Sequence, residues 1–179
     1  PKKVLVLFGT RPEVIKLAPV IKELRSRPAE FETIACSTGQ HREMLDQALS
    51  VFQMKADLDL QLMTPGQTLA GLTSLLFRAV DQAIEETQPD AIVVQGDTTS
   101  AFVGGMCGFY RRLTVGHVEA GLRTGNIWAP FPEEVNRCIV GKIATHHFAP
   151  TDRSRQNLLK EGVPDSQIAV TGNTVVDAL

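Results

Sequence analysis

Several familiar signatures are missing from this 179-residue sequence, and each absence removes a class of function. No GxGxxG follows the first apolar run, so the turn that seats a dinucleotide is not there and no cofactor is expected. No GxxxxGK[ST] occurs, which excludes a P-loop nucleotide hydrolase. Neither a serine elbow nor a Cys–His arrangement stands out for covalent catalysis. No apolar run reaches transmembrane length, and no secretory leader is expected ahead of Lys2-Lys3-Val4. A net charge of −2 gives no reason to expect nucleic acid or a membrane surface as partner. Cys36, Cys107 and Cys138 are odd in number, lack CxxC spacing and sit in apolar or helical contexts. They read as reduced, buried thiols of a soluble cytoplasmic protein.

What is present is an alternation of short apolar runs with longer helical patterns. Val4 to Phe8, Phe31 to Cys36, Ala91 to Gln95, Thr114 to Val118, His147 to Ala149 and Ile168 to Val170 read as strands, with a further one expected over Asp57 to Leu62. Helical spacing covers Val14 to Leu24, Arg42 to Phe52, Leu69 to Ile84, Thr99 to Arg111, Glu134 to Ala144 and Arg153 to Glu161. Pro19 is expected to kink or break the first of these helices. Strands apolar on both faces and separated by helices predict an α/β fold, a parallel sheet covered by helices on each side. Length allows one domain, 1–171. Residues 172–179 start a new helical element, expected to lead into a second domain.

Ligands of such sheets bind outside the carboxyl ends of the strands. Three strand ends carry charge: Gly9-Thr-Arg-Pro-Glu13, Gly96-Asp-Thr98 and His117-Val-Glu119. In the first, Pro12 suits the opening of a helix, and Arg11 and Lys16 lie at its N-terminal end. Two cations there are unfavourable against the helix dipole by up to about 1 kcal/mol each, and an anionic ligand would reverse the sign. The alternative is two solvated surface charges. In the second, Asp97 is an N-cap, a ligand contact, or both.

The stretch His117 to Arg137 holds carboxylates on both sides of a Gly-, Trp- and Pro-bearing loop, as proton transfer by paired groups requires. His117 and Glu119 share a side if their strand persists that far. A metal is not expected, since no third ligand has suitable spacing. A buried Glu119–Arg123 ion pair is the competing structural reading. Glu133 and Glu134 suit a helix start, so one of them can be structural. His146 and His147 point apart as strand or packing residues. An anion-binding turn beside several carboxylates suits a phosphorylated small molecule undergoing proton transfer.

The motifs FGTRPEVIKLAP, QHREMLDQ, QGDTTSAF, GHVEAGLRTG, PFPEEVNR and TGNTVVDAL fall in order across the chain. Together they resemble the bacterial non-hydrolysing UDP-N-acetylglucosamine 2-epimerases, over the N-terminal half of that family. The resemblance implies a Rossmann-like domain, the first half of a GT-B-like two-domain fold with its active site in the cleft. It implies interconversion of UDP-GlcNAc and UDP-ManNAc without a nicotinamide cofactor. A base removes the C2 proton while UDP departs, giving 2-acetamidoglucal, and UDP adds back after reprotonation on the other face.

By motif, Asp97, Glu119 and Glu133 match the family's catalytic carboxylates, with acid and base not assigned among them. Asp97 and Glu119 also contact substrate in this reading, and Arg11 and Lys16 match residues that approach the diphosphate. In some relatives a second UDP-GlcNAc binds as activator near QHRxM. Here that motif is Gln40-His41-Arg42-Glu43-Met44, and Glu43 stands where those relatives tend to carry a neutral amide, which weighs against activation. The resemblance further implies a homodimer in the full-length enzyme, a catalytic histidine and most uridine contacts on the second domain, and little activity from one half alone. The loop through Trp128 is expected to help exclude water from the glycal. A hydrolysing relative that releases ManNAc, a GT-B glycosyltransferase and a non-catalytic sugar-nucleotide-binding or dimerisation module are the competing functions.

Overall fold

The computed structural model describes residues 1–39 and 42–179. Among them, seven strands form one sheet: β1 (Lys2–Phe8), β2 (Phe31–Ser37), β3 (Leu58–Asp59), β4 (Ala91–Gln95), β5 (Thr114–Val118), β6 (His146–Ala149) and β7 (Ile168–Val170). Every pairing is parallel, in the order β3-β2-β1-β4-β5-β6-β7. The helices are α1 (Arg11–Arg25), α2 (Arg42–Val51), α3 (Leu69–Thr87), α4 (Thr99–Tyr110), α5 (Glu133–Ile143), α6 (Asp152–Lys160) and the short α7 (Val175–Ala178). This is the parallel α/β sheet that the alternating pattern predicts, and it is Rossmann-like, as the resemblance implies.

Strand periodicity divides the core. Leu5 and Leu7 point to one face, where they join Ile92, Val94 and Val115 beneath α3, α4 and α5. Val4, Val6 and Phe8 point to the other, with Ala35, beneath α1 and α2. The two-residue period of a strand buried on both sides produces this split. Helix α4 approaches the sheet unusually closely because Gly104 and Gly108 face it. A Cβ at Gly104 would stand 2.6 Å from Leu7 Cδ2, and one at Gly108 2.5 Å from Ile92 Cγ2.

Two local expectations are narrowed, for identifiable reasons. The first helix does not break at Pro19 but runs as one element from Arg11 to Arg25. Proline in a helix interior costs about 3 kcal/mol. Val14, Leu17, Ala18 and Ile21 are buried on both sides of Pro19, and their removal from water offsets that cost. The strand expected over Asp57 to Leu62 shrinks to Leu58–Asp59. Gln61 adopts φ +50, which turns the chain out of extended geometry, although Leu60 and Leu62 still donate to the carbonyls of Ser37 and Thr38.

The order of strands creates the site. After β1 the chain winds one way to β2 and β3, then returns to place β4 on the other side of β1 and continues to β7. Between β1 and β4 the carboxyl-end turns lead in opposite directions, leaving the crevice where ligands of doubly wound sheets bind. The Gly9–Glu13 turn, the Gly96–Thr98 turn and Glu119 border that crevice.

Candidate active site

Asp97 lies in the turn between β4 and α4. It is not the N-cap of α4: Thr98 is, its hydroxyl accepting from Ala101 N at 3.0 Å. Asp97 is gripped instead from α5, where Asn136 Nδ2 donates to its carbonyl at 2.9 Å and Arg137 Nη1 to its carboxylate at 3.2 Å. The turn itself is fixed by Gly96 N donating to Val118 O at 2.9 Å and by His117 Nε2 against Gly96 O at 2.7 Å. Burial pushes the Asp97 carboxyl above its usual range. Arg137 and Lys16 oppose the rise, while Glu133 and Glu119 reinforce it. A raised pKa is the direction in which acid–base chemistry tunes a carboxyl group.

Glu119 does not continue β5. Its φ of +62 ends the strand, so Glu119 and His117 do not share a face as an extended strand would place them. The bonds on either side, Gly96 N to Val118 O and Ala120 N to Phe148 O, hold this uncommon backbone conformation in place. The turn aims the Glu119 carboxylate at Lys16, with Nζ to Oε2 at 2.5 Å, and at Gln95 Nε2, 2.8 Å away. The alternative Glu119–Arg123 pair does not form. Arg123 pairs with Glu161 at 2.8 and 3.0 Å, away from the crevice.

Glu133 opens α5, half-buried, and forms no hydrogen bond or ion pair with a described residue; its charge is felt at Asp97. Its neighbour Glu134 is the structural one of the pair. At 1% exposure it accepts from Thr124 N (3.0 Å), Gly125 N (2.9 Å) and Arg137 Nε (2.7 Å). Although burial works the other way, the bonds from Gly125, Arg137 and Thr124 hold its pKa below the ordinary value. Arg137 therefore bridges a structural carboxylate and Asp97, and sequence reasoning missed it. Its three-residue spacing from Glu134 on one helix was the available signal.

Arg11 is exposed at the start of α1 and makes no hydrogen bond or ion pair with a described residue, which leaves its guanidinium open to a ligand. Lys16 is partly buried and engaged by Glu119. The structure thus brings together Asp97, Glu119, Glu133, Lys16 and Arg137, with Arg11 at the rim. Glu43 is exposed in the first turn of α2. Gln40 and His41 lie outside the described residues. His117 and His147 are both buried on the sheet, while His146 is exposed.

Residues 22–179 match the sequence model of a family described as UDP-N-acetylglucosamine 2-epimerase. The chain belongs to that family. A UDP-N-acetylglucosamine 2-epimerase of Yersinia pestis is 54% identical over 177 residues, which are 99% of this chain and 47% of that relative. The crystal structure of UDP-GlcNAc 2-epimerase from Neisseria meningitidis bound to UDP-GlcNAc superposes with a TM-score of 0.95 at 49% identity, covering 98% of this chain and 47% of that one. The Methanocaldococcus jannaschii UDP-GlcNAc 2-epimerase, in complex with UDP-GlcNAc and UDP, gives 0.91 at 32% identity, covering 98% and 48%. The chain therefore spans about half the length of the relatives it matches. The GT-B-like assignment follows from these neighbours.

Seen within this epimerase family, one buried acid stands out that sequence reasoning also passed over. Glu13 is 1% exposed and accepts from Gly9 N (2.9 Å), Thr10 N (2.7 Å), Thr10 Oγ1 (2.8 Å) and Thr98 Oγ1 (2.7 Å). The T-x-x-E spacing of Thr10 and Glu13 is a capping-box signature and was visible in the sequence. Its reach to Thr98 was not.

Proposed function

We propose that this chain supplies the acid–base half of a non-hydrolysing UDP-N-acetylglucosamine 2-epimerase, with UDP-GlcNAc and UDP-ManNAc as the interconverted substrates. The observation that carries this reading is the gathering of Asp97, Glu119 and Glu133 with Lys16 and Arg137 at one strand-end crevice. In the relatives from Neisseria meningitidis and Methanocaldococcus jannaschii the bound molecules are UDP-GlcNAc, and UDP-GlcNAc with UDP.

A carboxylate removes the proton at C2 of the sugar. The electron pair left at C2 forms the C1–C2 double bond as the C1–O bond breaks, and the departing pair goes to the β-phosphate oxygen. The products of that step are 2-acetamidoglucal and UDP. A second carboxyl group delivers a proton to the opposite face of C2, and UDP adds back at C1. A C2 proton is a poor acid, so an oriented base and a stabilised leaving group are both needed. Arg11 and Lys16 supply positive charge toward the diphosphate, and Arg137 steadies Asp97 through the proton transfer. Residues 1–171 are the domain that carries these groups, and 172–179 begin the connection to a second domain bearing most uridine contacts. The half alone turns over negligibly in this reading, and the full-length enzyme is a homodimer.

Incubation of the full-length protein with UDP-GlcNAc in heavy water tests the proposal. Expected is UDP-ManNAc carrying deuterium at C2. Accumulation of free ManNAc would replace it with the hydrolysing reaction. Recovered substrate without deuterium at C2 would point to sugar transfer instead.

A further inference from the structure

The turn after β1 has the form of an anion site: backbone N–H groups of Gly9 and Thr10 converge at the N-terminus of a fifteen-residue helix, where the dipole favours negative charge. In nucleotide-binding folds such turns cradle a phosphate directly. Here the position is already taken. Glu13 Oε2 accepts from both N–H groups and from the Thr10 hydroxyl, at 2.7 to 2.9 Å. Its other oxygen, Oε1, accepts from the Thr98 hydroxyl at 2.7 Å, eighty-five residues further along the chain. Thr98 directly follows Asp97 and caps α4. No described residue forms an ion pair with Glu13; burial raises the pKa of this 1%-exposed carboxyl group, and the hydrogen bonds from Thr98, Gly9 and Thr10 oppose the rise.

Resting on the epimerase reading above, we infer that Glu13 is a positioning residue. Its carboxylate fills the anion-binding turn from within and ties it to the turn that carries Asp97. The diphosphate of the substrate is then met by side chains, Arg11 and Lys16, rather than by the turn amides. Two consequences follow from the chemistry. The internal charge weakens the pull of the helix terminus on the diphosphate, so that the leaving group is stabilised without being trapped. The tie through Thr98 also keeps the leaving-group turn and the proton-transfer turn in one register, although they belong to different strands.

The test uses the full-length protein with UDP as probe, measured by calorimetry, alongside turnover of UDP-GlcNAc. Glu13→Gln keeps an oxygen for Gly9 and Thr10 and an amide that can donate to the Thr98 hydroxyl, but loses the charge. With one negative charge removed beside an anion site, UDP binds more tightly by roughly tenfold while turnover falls. A residue that merely holds the fold gives the opposite sign, and a folded Glu13→Gln protein with unchanged or weaker UDP affinity overturns the inference.

The tie is tested separately, and decides the matter if Glu13→Gln does not fold. Glycine at an N-cap costs only a few tenths of a kcal/mol relative to threonine, so Thr98→Gly spares the start of α4 and removes the tie. Turnover of Thr98→Gly is expected to fall about tenfold, the scale of one lost positioning bond, with UDP affinity within about twofold of wild type. Thr98→Ser, which keeps the hydroxyl, restores turnover. Wild-type turnover in Thr98→Gly, or no rescue by serine, overturns the inference. Failure of the epimerase reading would show in a different place, as absence of C2 label in the wild-type protein.

Discussion

Two kinds of carboxylate sit within a few residues of each other in this molecule. Glu13 and Glu134, each 1% exposed, have their oxygens surrounded by donors, several of them backbone N–H groups. Asp97 and Glu133 are the reverse: the Asp97 carboxylate has one donor, Arg137, at 3.2 Å, and Glu133 has none among the described residues. Glu119 lies between, with Lys16 and Gln95 on one oxygen. The difference separates architecture from chemistry. A carboxylate saturated by fixed donors holds turns together and has nothing left for a substrate. One with free lone pairs can exchange a proton, and at Asp97 burial and neighbouring like charge raise the pKa as well.

That contrast is broken most severely by Asp97→Asn. Turnover should fall roughly 10³-fold, the scale of one lost acid–base group, while urea unfolding moves by no more than about 1 kcal/mol. Near-normal turnover would remove Asp97 from the chemistry. Glu134→Gln should do the converse. It leaves Arg137 without its buried counter-charge and disturbs Thr124 and Gly125, so unfolding free energy should drop by about 3 kcal/mol. A stable Glu134→Gln protein with abolished turnover would place Glu134 among the reacting groups instead.

The same contrast extends to a base. His117 is fully buried, with Nε2 bonded to Gly96 O and Nδ1 without a partner among the described residues, and burial lowers its pKa from 6.5 to about 4. The native imidazole stays neutral while the unfolded chain takes up a proton below 6.5, so stability falls as pH drops from about 6.5 to about 4. The loss approaches about 3 kcal/mol at the bottom of that window. Glu13 and Asp97, raised rather than lowered, act in the opposite sense. Comparing wild type with His117→Gln by urea titration at pH 7 and pH 4.5 isolates the histidine: the variant should lose this part of the slope. The smallest effect is expected at the rim. Arg11→Ala should leave stability within about 0.5 kcal/mol and weaken UDP binding roughly tenfold. Unchanged affinity would mean that Arg11 is only a solvated charge.

Much of the fold was legible because its signals are local. Ala91–Gln95, Thr114–Val118 and Ile168–Val170 read as strands from their apolar runs alone, and they are the strands observed. The rule that ligands sit at strand carboxyl ends led directly to Arg11, Asp97 and Glu119. Failures cluster where a residue's partner is distant in sequence. Asp97 looked like an N-cap because the competition from Thr98 depends on actual backbone angles. For Glu119 the competing reading from sequence is a pair with Arg123, yet the left-handed turn at Glu119 sends it to Lys16. Glu13 drew no reading of its own beyond its place at a charged strand end, and only the fold reveals its second oxygen on Thr98.

The sequence by itself determined that the chain is a parallel α/β sheet with its charge collected at three strand ends. Apolar periodicity is written residue by residue and needs no knowledge of what lies opposite. Tertiary structure decided which of the acids are occupied and which are open. Gln95 meets Glu119 across 24 residues, Arg137 meets Asp97 across 40, and Thr98 meets Glu13 across 85. The strand order sets those meetings, because it brings the turns after β1, β4 and β5 side by side. Burial then fixes how much each remaining charge costs and how readily it gives up or accepts a proton.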